Sequence, residues 1–336
     1  MIKEAIIKWA YRLLFAAFWA VLVCQADSVL AQSRALSFAV QISTDVPQVV
    51  LAQERGYWKE AGIDVKLIPF SSGREAFEAL LGGKIDMAVM TEFPATIGVV
   101  RNQKFTIIAD LSRYRAQRVI ASGKKMSLSS LRELDGRRVG TTLGTNGEYL
   151  TSVLLKEGGA NAQVVNVSPP DQVAALVRGD IDASVMFPNF YAQAKKMLGA
   201  DYREIVTSSY ISHGLIVVSP ETLASRSADL TAFIKGLVRA DGLIRAEPAA
   251  GQEAIVRALK GIMSADVLAE LWKDYEYKLI LNEDLVTLMQ KEAAWIIERG
   301  MMVKAPASAS ERKNVRSFID SEPLQSVAKE NVTLQP

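Results

Sequence analysis

The stretch Gly83-Lys-Ile-Asp-Met-Ala-Val-Met90 occurs a second time as Gly179-Asp-Ile-Asp-Ala-Ser-Val-Met186, and each copy runs into a Phe-Pro pair. Each copy also follows a β-branched run and a stretch with helical spacing of its apolar residues. This order predicts strand, helix, strand, which is the unit of a parallel sheet covered by helices. Two copies in matching contexts therefore predict two similar α/β lobes.

Two facing lobes of this kind enclose a cleft, because ligands of open α/β sheets bind beyond the carboxyl ends of the strands. The sheet-forming segments fall into two blocks, and the stretch from Glu221 to Arg299 shows helical patterns without a convincing strand. We expect this helical segment to pack on the first lobe. The chain then crosses between the lobes twice, near Arg115 to Arg118 and near Ser212 to Gly214, and two crossings form a hinge.

Length and composition exclude several classes of protein. The 336-residue chain is 49% hydrophobic and 23% charged, which suffices to bury two cores. Its 39 basic and 37 acidic residues leave a formal net charge of +2, so no nucleic-acid partner is expected. His213 is the only histidine and Cys24 the only cysteine, so we expect no Cys/His metal site, and a Ser-His triad would depend on that one imidazole.

The first 31 residues are typical of a secretory signal peptide. Basic residues from Lys3 to Arg12 precede an apolar run from Leu13 to Val23, and the small residue Ala31 marks the expected cleavage site. The run is short for a membrane span. Two alternatives stay open: an uncleaved anchor, and a lipoprotein modified at Cys24, for which Val23 is an unsuitable preceding residue. Cleavage near Ala31 predicts a periplasmic protein.

The predicted domain organisation follows from these segments. Residues 1–31 are the signal peptide, residues 35–116 and 213–300 form a discontinuous first lobe, and residues 117–212 form the second lobe. Residues 301–336 are expected to form a C-terminal tail.

Several sequence segments of the chain resemble those of the periplasmic solute-binding proteins for nitrate, taurine, alkanesulfonates and thiamine-precursor pyrimidines. The resemblance extends over nearly the whole mature chain. It is carried by Leu51–Val65, Gly83–Asp86, Leu134–Gly140, Gly179–Ala183 and the Gly-Met-Met that begins at Gly300. These segments have structural roles, and the expected ligand contacts lie between them.

The resemblance implies a two-lobed periplasmic-binding-protein fold of type II-like topology. It also implies the solute-binding subunit of an ABC importer, a monomer that passes a small organic anion or zwitterion to a permease and its ATPase. No cofactor, metal or catalysis by this chain is expected. Two alternatives stay open: a sensor that presents its solute to a membrane receptor, and a thiamine-pyrimidine biosynthetic enzyme of the same fold, which would need His213 in the cleft.

Loops at the carboxyl ends of strands supply the candidate ligand contacts. The loops of the first lobe contain Thr44, Asp45, Ser72, Gly73, Thr91 and Glu92, and those of the second contain Thr145, Asn146 and Phe187. Helix N-termini after Ser72 and Thr145 favour an anion. For several candidates a structural role remains open: Ser72 and Thr145 as helix caps, Phe187 as ordinary packing and Glu92 as solvated surface.

Asp45 and Glu92 together lead to a narrower hypothesis. Burying unpaired carboxylates in a site for a simple anion is costly. If both side chains face the cleft, the solute should also carry a cationic or hydrogen-donating group, as an aminosulfonate or an aminopyrimidine does.

Overall fold

The computed structural model of the protein describes residues 34–300 and 314–335. The predicted signal peptide and residues 301–313 lie outside these ranges. The strands are β1 (Leu36–Val40), β2 (Val65–Pro69), β3 (Met87–Thr91), β4 (Thr106–Tyr114), β5 (Gln117–Ser122), β6 (Arg138–Thr141), β7 (Gln163–Asn166), β8 (Ala183–Val185), β9 (Tyr202–Thr207), β10 (Ser212–Val218) and β11 (Tyr275–Ile280).

The helices follow the strands in alternation and then form a nearly continuous C-terminal series. They are α1 (Pro47–Glu54), α2 (Tyr57–Glu60), α3 (Gly73–Leu81), α4 (Glu92–Val100), α5 (Asn146–Gly158), α6 (Gln172–Arg178), α7 (Tyr191–Leu198), α8 (Pro220–Ser225), α9 (Ser227–Ala246), α10 (Pro248–Ala258), α11 (Ala265–Trp272), α12 (Glu283–Glu298) and α13 (Glu322–Gln325). In the described ranges, no helix is both long enough and apolar enough to cross a membrane.

Two sheets with the same internal arrangement form the two lobes. The six-stranded first sheet has the order β11-β4-β10-β3-β1-β2, and the five-stranded second sheet has the order β7-β6-β8-β5-β9. Strand β1 of the first sheet and strand β6 of the second each lie between two parallel neighbours. One antiparallel strand follows, β10 in the first sheet and β5 in the second. The predicted two-lobed α/β fold class is confirmed.

The chain crosses between the sheets at two short segments. Residues 115–116 connect β4 to β5, and residues 208–211 connect β9 to β10. Both crossings lie within a few residues of the positions predicted from the sequence. The exact domain boundaries given above stay predictions.

The repeated Gly-x-Ile-Asp motif has a structural role in both lobes. Gly83, just after α3, and Gly179, at the end of α6, have φ values of 67° and 81°, in the left-handed region that glycine tolerates best. Asp86 Oδ2 accepts hydrogen bonds from the backbone N–H of Ser37 at 2.8 Å and from its hydroxyl at 2.6 Å. Asp182 Oδ2 accepts from the backbone N–H of Arg138 at 2.9 Å. Each aspartate therefore connects the start of the following strand to the parallel strand beside it, β1 in the first lobe and β6 in the second.

The expectation that no strand follows Glu221 is wrong. Strand β11 pairs antiparallel with β4 at the edge of the first sheet. Its six residues alternate less clearly than those of a typical half-buried strand, and they lie between long helices. Helices α9 and α10 pack on the first lobe as predicted and lie against α1.

The last described residues also contact the first lobe. Ile319 forms a bridge to Ile107 of β4, and Val332 forms a bridge to Leu281 just after β11. The hydrophobic core of the first lobe contains Phe233, which stacks on Trp58 at a ring distance of 5.1 Å and meets Phe38 edge-on at 5.1 Å.

Candidate functional site

A cleft between the two sheets is lined by both of them. It holds about 710 Å³ of space, including the mouth that opens to solvent. The first lobe contributes the loop after β1, the start of α3 and the end of β3, while the second contributes the start of α5 and the turn after β8. Residues beside both crossings also line it, among them Tyr114, Gln117 and Ser212. The cleft therefore lies at the carboxyl ends of strands in both lobes.

The structure brings most of the predicted site residues to this cleft. Those that line it are Thr44, Asp45, Gly73, Thr91, Thr145, Asn146 and Phe187. Ser72 and Glu92 are not part of the lining. Whether the seven residues contact a solute stays a prediction.

Asp45 is the acidic side chain that faces the cleft. Ser43 Oγ donates to its Oδ1, and no ion pair joins it to another residue in the described ranges. Burial raises the pKa of Asp45 above its ordinary value, although Ser43 and the backbone N–H of Asp45 lower it. A further donor or a cation in the cleft would therefore stabilise the ionised form of Asp45 beyond what Ser43 and the backbone provide.

Strand β11 holds the loop that carries Asp45. Tyr275 Oη lies 2.8 Å from Thr44 Oγ1, and Tyr277 Oη donates to Thr44 O at 2.7 Å. The Thr44 hydroxyl therefore already has a partner. Tyr275 also lines the cleft, so the C-terminal segment contributes to the site.

The N-terminus of α3 faces the cleft through Gly73. Ser72 is the N-cap, and its Oγ accepts from the backbone N–H of Glu75 at 3.2 Å, so its side chain acts as a helix cap. Arg74 Nη1 donates to Leu143 O of the second lobe at 2.9 Å, and Arg74 Nε donates to Glu78 at 3.0 Å. Arg74 therefore connects the two walls of the cleft.

The N-terminus of α5 lines the cleft from the second lobe. The Thr145 hydroxyl accepts from the backbone N–H of Gly147 at 3.2 Å and donates to Thr142 O at 2.6 Å, so it serves as the helix cap. Thr91 Oγ1 of the first lobe donates to Asn146 Oδ1 at 3.4 Å. A second polar contact therefore crosses the cleft near the two helix N-termini.

Glu92 lies behind the cleft wall, fully buried, contrary to the expectation that it faces the cleft with Asp45. Its carboxylate accepts from the Tyr210 hydroxyl and, at 2.7 Å, from the backbone N–H of His213. Burial raises the pKa of Glu92 to about 7, although the charge of His213 lowers it. Thr91 and Glu92 are neighbours at the strand-to-helix junction, and the helical turn directs Glu92 into the protein instead of the cleft.

Glu292 of α12 belongs to the same buried group. Thr96 Oγ1 donates to its Oε2 at 2.7 Å, while its Oε1 receives no hydrogen bond from the described residues. Burial and the negative charge of Glu92 raise the pKa of Glu292 well above its ordinary value. The two carboxyl groups therefore favour sharing a proton at neutral pH.

His213 is a buried structural histidine at the start of β10. Its Nδ1 lies 2.7 Å from Asp110 Oδ2, and its side chain does not line the cleft. Burial alone would lower the pKa of His213, but the carboxylates of Asp110 and Glu92 outweigh it and raise this pKa above the ordinary value.

Sequence reasoning missed several polar or aromatic residues of the lining, among them Tyr114, Gln117, Asn189 and Tyr275. Tyr114 and Gln117 flank the first crossing, which was considered only as a hinge. Asn189 directly follows Phe187 and Pro188, so extending that candidate loop by two residues would have included it. Tyr275 was missed because no strand was predicted in the segment that contains it.

Gly73→Ala is expected to destabilise the protein by about 1–3 kcal/mol, as overpacking does. A Cβ at this position would lie 2.7 Å from Met90 Cα and 3.3 Å from Val89 O, so the backbone of α3 or β3 must shift. The control is Gly82→Ala at the other end of the helix, where the nearest atom lies 3.4 Å away. Urea unfolding of both variants checks this, and equal stabilities would contradict it.

A protein-family model described as NMT1/THI5 like matches residues 43–250, which include most of the cleft lining and both crossings. The chain belongs to this family. The match covers more than half of the chain and confirms the resemblance inferred from the sequence.

Curated relatives of this NMT1/THI5-like chain include binding proteins and one enzyme. A candidate binding protein of Brucella abortus (strain 2308) is 28% identical over 173 residues, 46% of this chain and 53% of that protein. The taurine-binding periplasmic protein of Escherichia coli (strain K12) is 26% identical over 184 residues, 54% of this chain and 56% of that protein. The chain thus spans about half the length of these relatives.

The enzyme is the 4-amino-5-hydroxymethyl-2-methylpyrimidine phosphate synthase of Aspergillus parasiticus. It is 25% identical over 239 residues, which are 66% of this chain and 69% of the enzyme.

Solved structures share the fold at low sequence identity. The alkanesulfonate-binding protein SsuA from Xanthomonas axonopodis pv. citri, bound to MOPS, superposes with a TM-score of 0.73 at 17% identity, over 87% of this chain and 99% of that one. The periplasmic nitrate-binding protein NrtA from Synechocystis PCC 6803 gives 0.70 at 12% identity, over 89% of each chain. These likenesses show the fold.

Proposed function

We propose that this chain is the extracytoplasmic solute-binding subunit of an ABC importer and captures a small organic anion or zwitterion between its lobes. The observation that carries the proposal is the cleft lined from both lobes, with the N-termini of α3 and α5 on opposite sides. The protein would work in the periplasm as a monomer, with a permease and its ATPase as partners. Similarity to the taurine-binding periplasmic protein and to the periplasmic nitrate-binding protein supports this role.

The two helix N-termini favour an anionic group in the cleft. The first backbone N–H groups of a helix have no partner within the helix, and the helix dipole places partial positive charge there. Ser72 and Thr145 each satisfy one such group, so other N–H groups at Gly73 and Asn146 stay available. A sulfonate or carboxylate can accept hydrogen bonds from both sides of the cleft.

Closure about the two crossings would couple binding to delivery. A solute shifts the lobes towards the closed form only by binding that form better, and moving a population from 1:99 to 99:1 needs about 5.5 kcal/mol of preference. The contacts Arg74–Leu143 and Thr91–Asn146 join the lobes at the cleft and support a closed form of this geometry.

The first experiment is a thermal-shift screen of the purified protein, produced from the full-length sequence. The probes are nitrate, bicarbonate, taurine, alkyl and aryl sulfonates, aminopyrimidines and polyamines. A probe at a hundred times its dissociation constant should stabilise the protein by about 2.7 kcal/mol, which raises Tm by several degrees. Calorimetry then gives the stoichiometry. A Tm that no anion or zwitterion changes would contradict the proposal.

An enzyme of the synthase type is the second candidate, because the Aspergillus relative matches two thirds of the chain. The burial of His213 and its contact with Asp110 argue against a histidine acting in the cleft. Product formation from an aminopyrimidine probe during incubation, followed by mass spectrometry, would favour the enzyme over the binding protein.

A further inference from the structure

Two side chains at the cleft, the half-buried Asp45 and the buried Asn189, each have an oxygen that can accept a further hydrogen bond. Asp45 Oδ1 accepts from Ser43, but Oδ2 has no side-chain donor within residues 34–300 and 314–335. Asn189, in the turn after β8, is 5% exposed, and its Oδ1 receives no hydrogen bond from the described residues. A buried oxygen without a donor, such as Asn189 Oδ1, is costly and uncommon.

We infer that the cleft contains a subsite for a positively charged nitrogen, formed by Asp45 from the first lobe and Asn189 from the second, and that the solute is an amine-bearing anion. The inference rests on the proposed function and narrows its solute class. An ammonium nitrogen has several N–H donors, and both oxygens can accept hydrogen bonds from them.

Aromatic side chains complete this subsite. Tyr114 and Tyr275 both line the cleft, and their rings lie 4.5 Å apart. The charge of Asp45, added to the effect of burial, raises the pKa of Tyr275 well above its ordinary value, which agrees with their proximity. Aromatic rings attract a desolvated cation through their quadrupole, and they give a bare anion no comparable stabilisation.

The charge distribution of the cleft separates the two ends of the solute. A sulfonate or carboxylate next to Asp45 would be repelled, since no cationic side chain in the described ranges pairs with Asp45. The N-termini of α3 and α5 provide the place for the anionic end. A zwitterion that spans the cleft therefore satisfies both, whereas a simple anion leaves Asp45 and Asn189 without partners.

Matched probe pairs that differ only by a methyl group in place of the amino group test this inference. The pairs are taurine and propanesulfonate, and β-alanine and butyrate. With wild-type protein, at least one amine is expected to bind about tenfold or more tightly than its methyl analogue, as a charge-assisted hydrogen bond implies. Calorimetry gives both dissociation constants.

Variants of Asp45 and Asn189 test whether these two residues cause the preference for the amine over its methyl analogue. Asp45→Asn should remove the amine preference, with affinity for that amine falling about tenfold or more and affinity for the methyl analogue unchanged. Asn189→Leu should weaken amine binding in the same selective way. The control Glu75→Gln removes one negative charge on α3 outside the lining and should leave the preference intact. Circular dichroism and Tm confirm that each variant folds.

The outcomes separate this inference from the proposed function. If anions bind but no amine is preferred, or if Asp45→Asn keeps the preference, the inference is wrong and the solute-binding function stands. If no probe of either kind binds, both fail.

Discussion

Replacement of Phe93 by alanine is expected to lower the free energy of unfolding by about 3–5 kcal/mol, the usual cost of removing a buried phenyl ring. Phe93, on α4, is fully buried. Its ring lies 5.7 Å from that of Tyr149 on α5 and 5.8 Å from that of Trp295 on α12. Tyr149 in turn lies 5.7 Å from Tyr210 in the second crossing. These four rings join the first lobe, the second lobe and the crossing.

The Phe93 variant should also loosen the contact between the lobes. Trp295 Nε1 donates to Ser152 Oγ of α5 at 2.8 Å, and this contact depends on the ring packing beside it. Urea unfolding measures the loss of stability, and small-angle X-ray scattering measures the radius of gyration, which should increase without a solute present.

Phe233→Ala is the matched control. Phe233 is equally buried, but it packs on Trp58 and Phe38 within the first lobe. A similar loss of stability with an unchanged radius of gyration is expected. If both variants give the same radius, the rings around Phe93 do not hold the lobes together.

Stability is expected to fall as the pH rises from about 4.5 to 8, because Glu92 and Glu292 are buried together. With its pKa raised to about 7, Glu92 binds a proton in the folded protein that it loses more readily when unfolded. Its contribution is therefore fully present below the unfolded pKa of 4.5 and is lost as the pH rises through about 7. The loss is on the order of 3 kcal/mol.

Several charged groups face this carboxyl pair. His213 donates to Glu92 through its backbone and pairs with Asp110, and Arg113 lies 3.4 Å from the same aspartate. The carboxylates of Asp110 and Glu92 raise the pKa of His213 by more than burial lowers it. The contribution of His213 to stability is therefore also lost as the pH rises. Both effects have the same sign.

Glu292→Gln should flatten this pH dependence. The amide Nε2 can donate to the Glu92 carboxylate and Oε1 can still accept from Thr96, so Glu92 no longer needs to share a proton. The variant should exceed the wild type in stability at pH 8 and match it near pH 4.5. Urea unfolding across this pH range is the measurement. Glu298→Gln, on the exposed side of the same helix, is the control, and a wild-type slope in Glu292→Gln would contradict the shared proton.

Much of the fold was predictable from local patterns. The repeated Gly-x-Ile-Asp identified two similar lobes because a helix end, a left-handed glycine and a strand start are encoded within a few residues. The same motif gives Asp86 and Asp182 equivalent bonds to Ser37 and Arg138. Strand ends then located seven of the nine candidate residues at the cleft, since ligands bind at the carboxyl ends of strands.

What local patterns could not supply was the direction of single side chains and the pairing of distant segments. Thr91 and Glu92 are adjacent, yet one lines the cleft and the other is buried beside Glu292, which lies far along the chain. Residues Tyr275–Ile280 form strand β11 because they pair with β4 at the edge of the first sheet. This pairing places Tyr275 in the cleft lining.

The sequence by itself therefore determined the two lobes, their crossings and the loops that form the cleft, because these depend on spacing and turn chemistry within short segments. The tertiary structure alone decided that Asp45 forms no ion pair within the described residues, that Glu92 and Glu292 are buried together, and that aromatic rings from both lobes meet at Phe93. These properties arise from burial and from contacts between residues far apart in the chain, which no local pattern encodes.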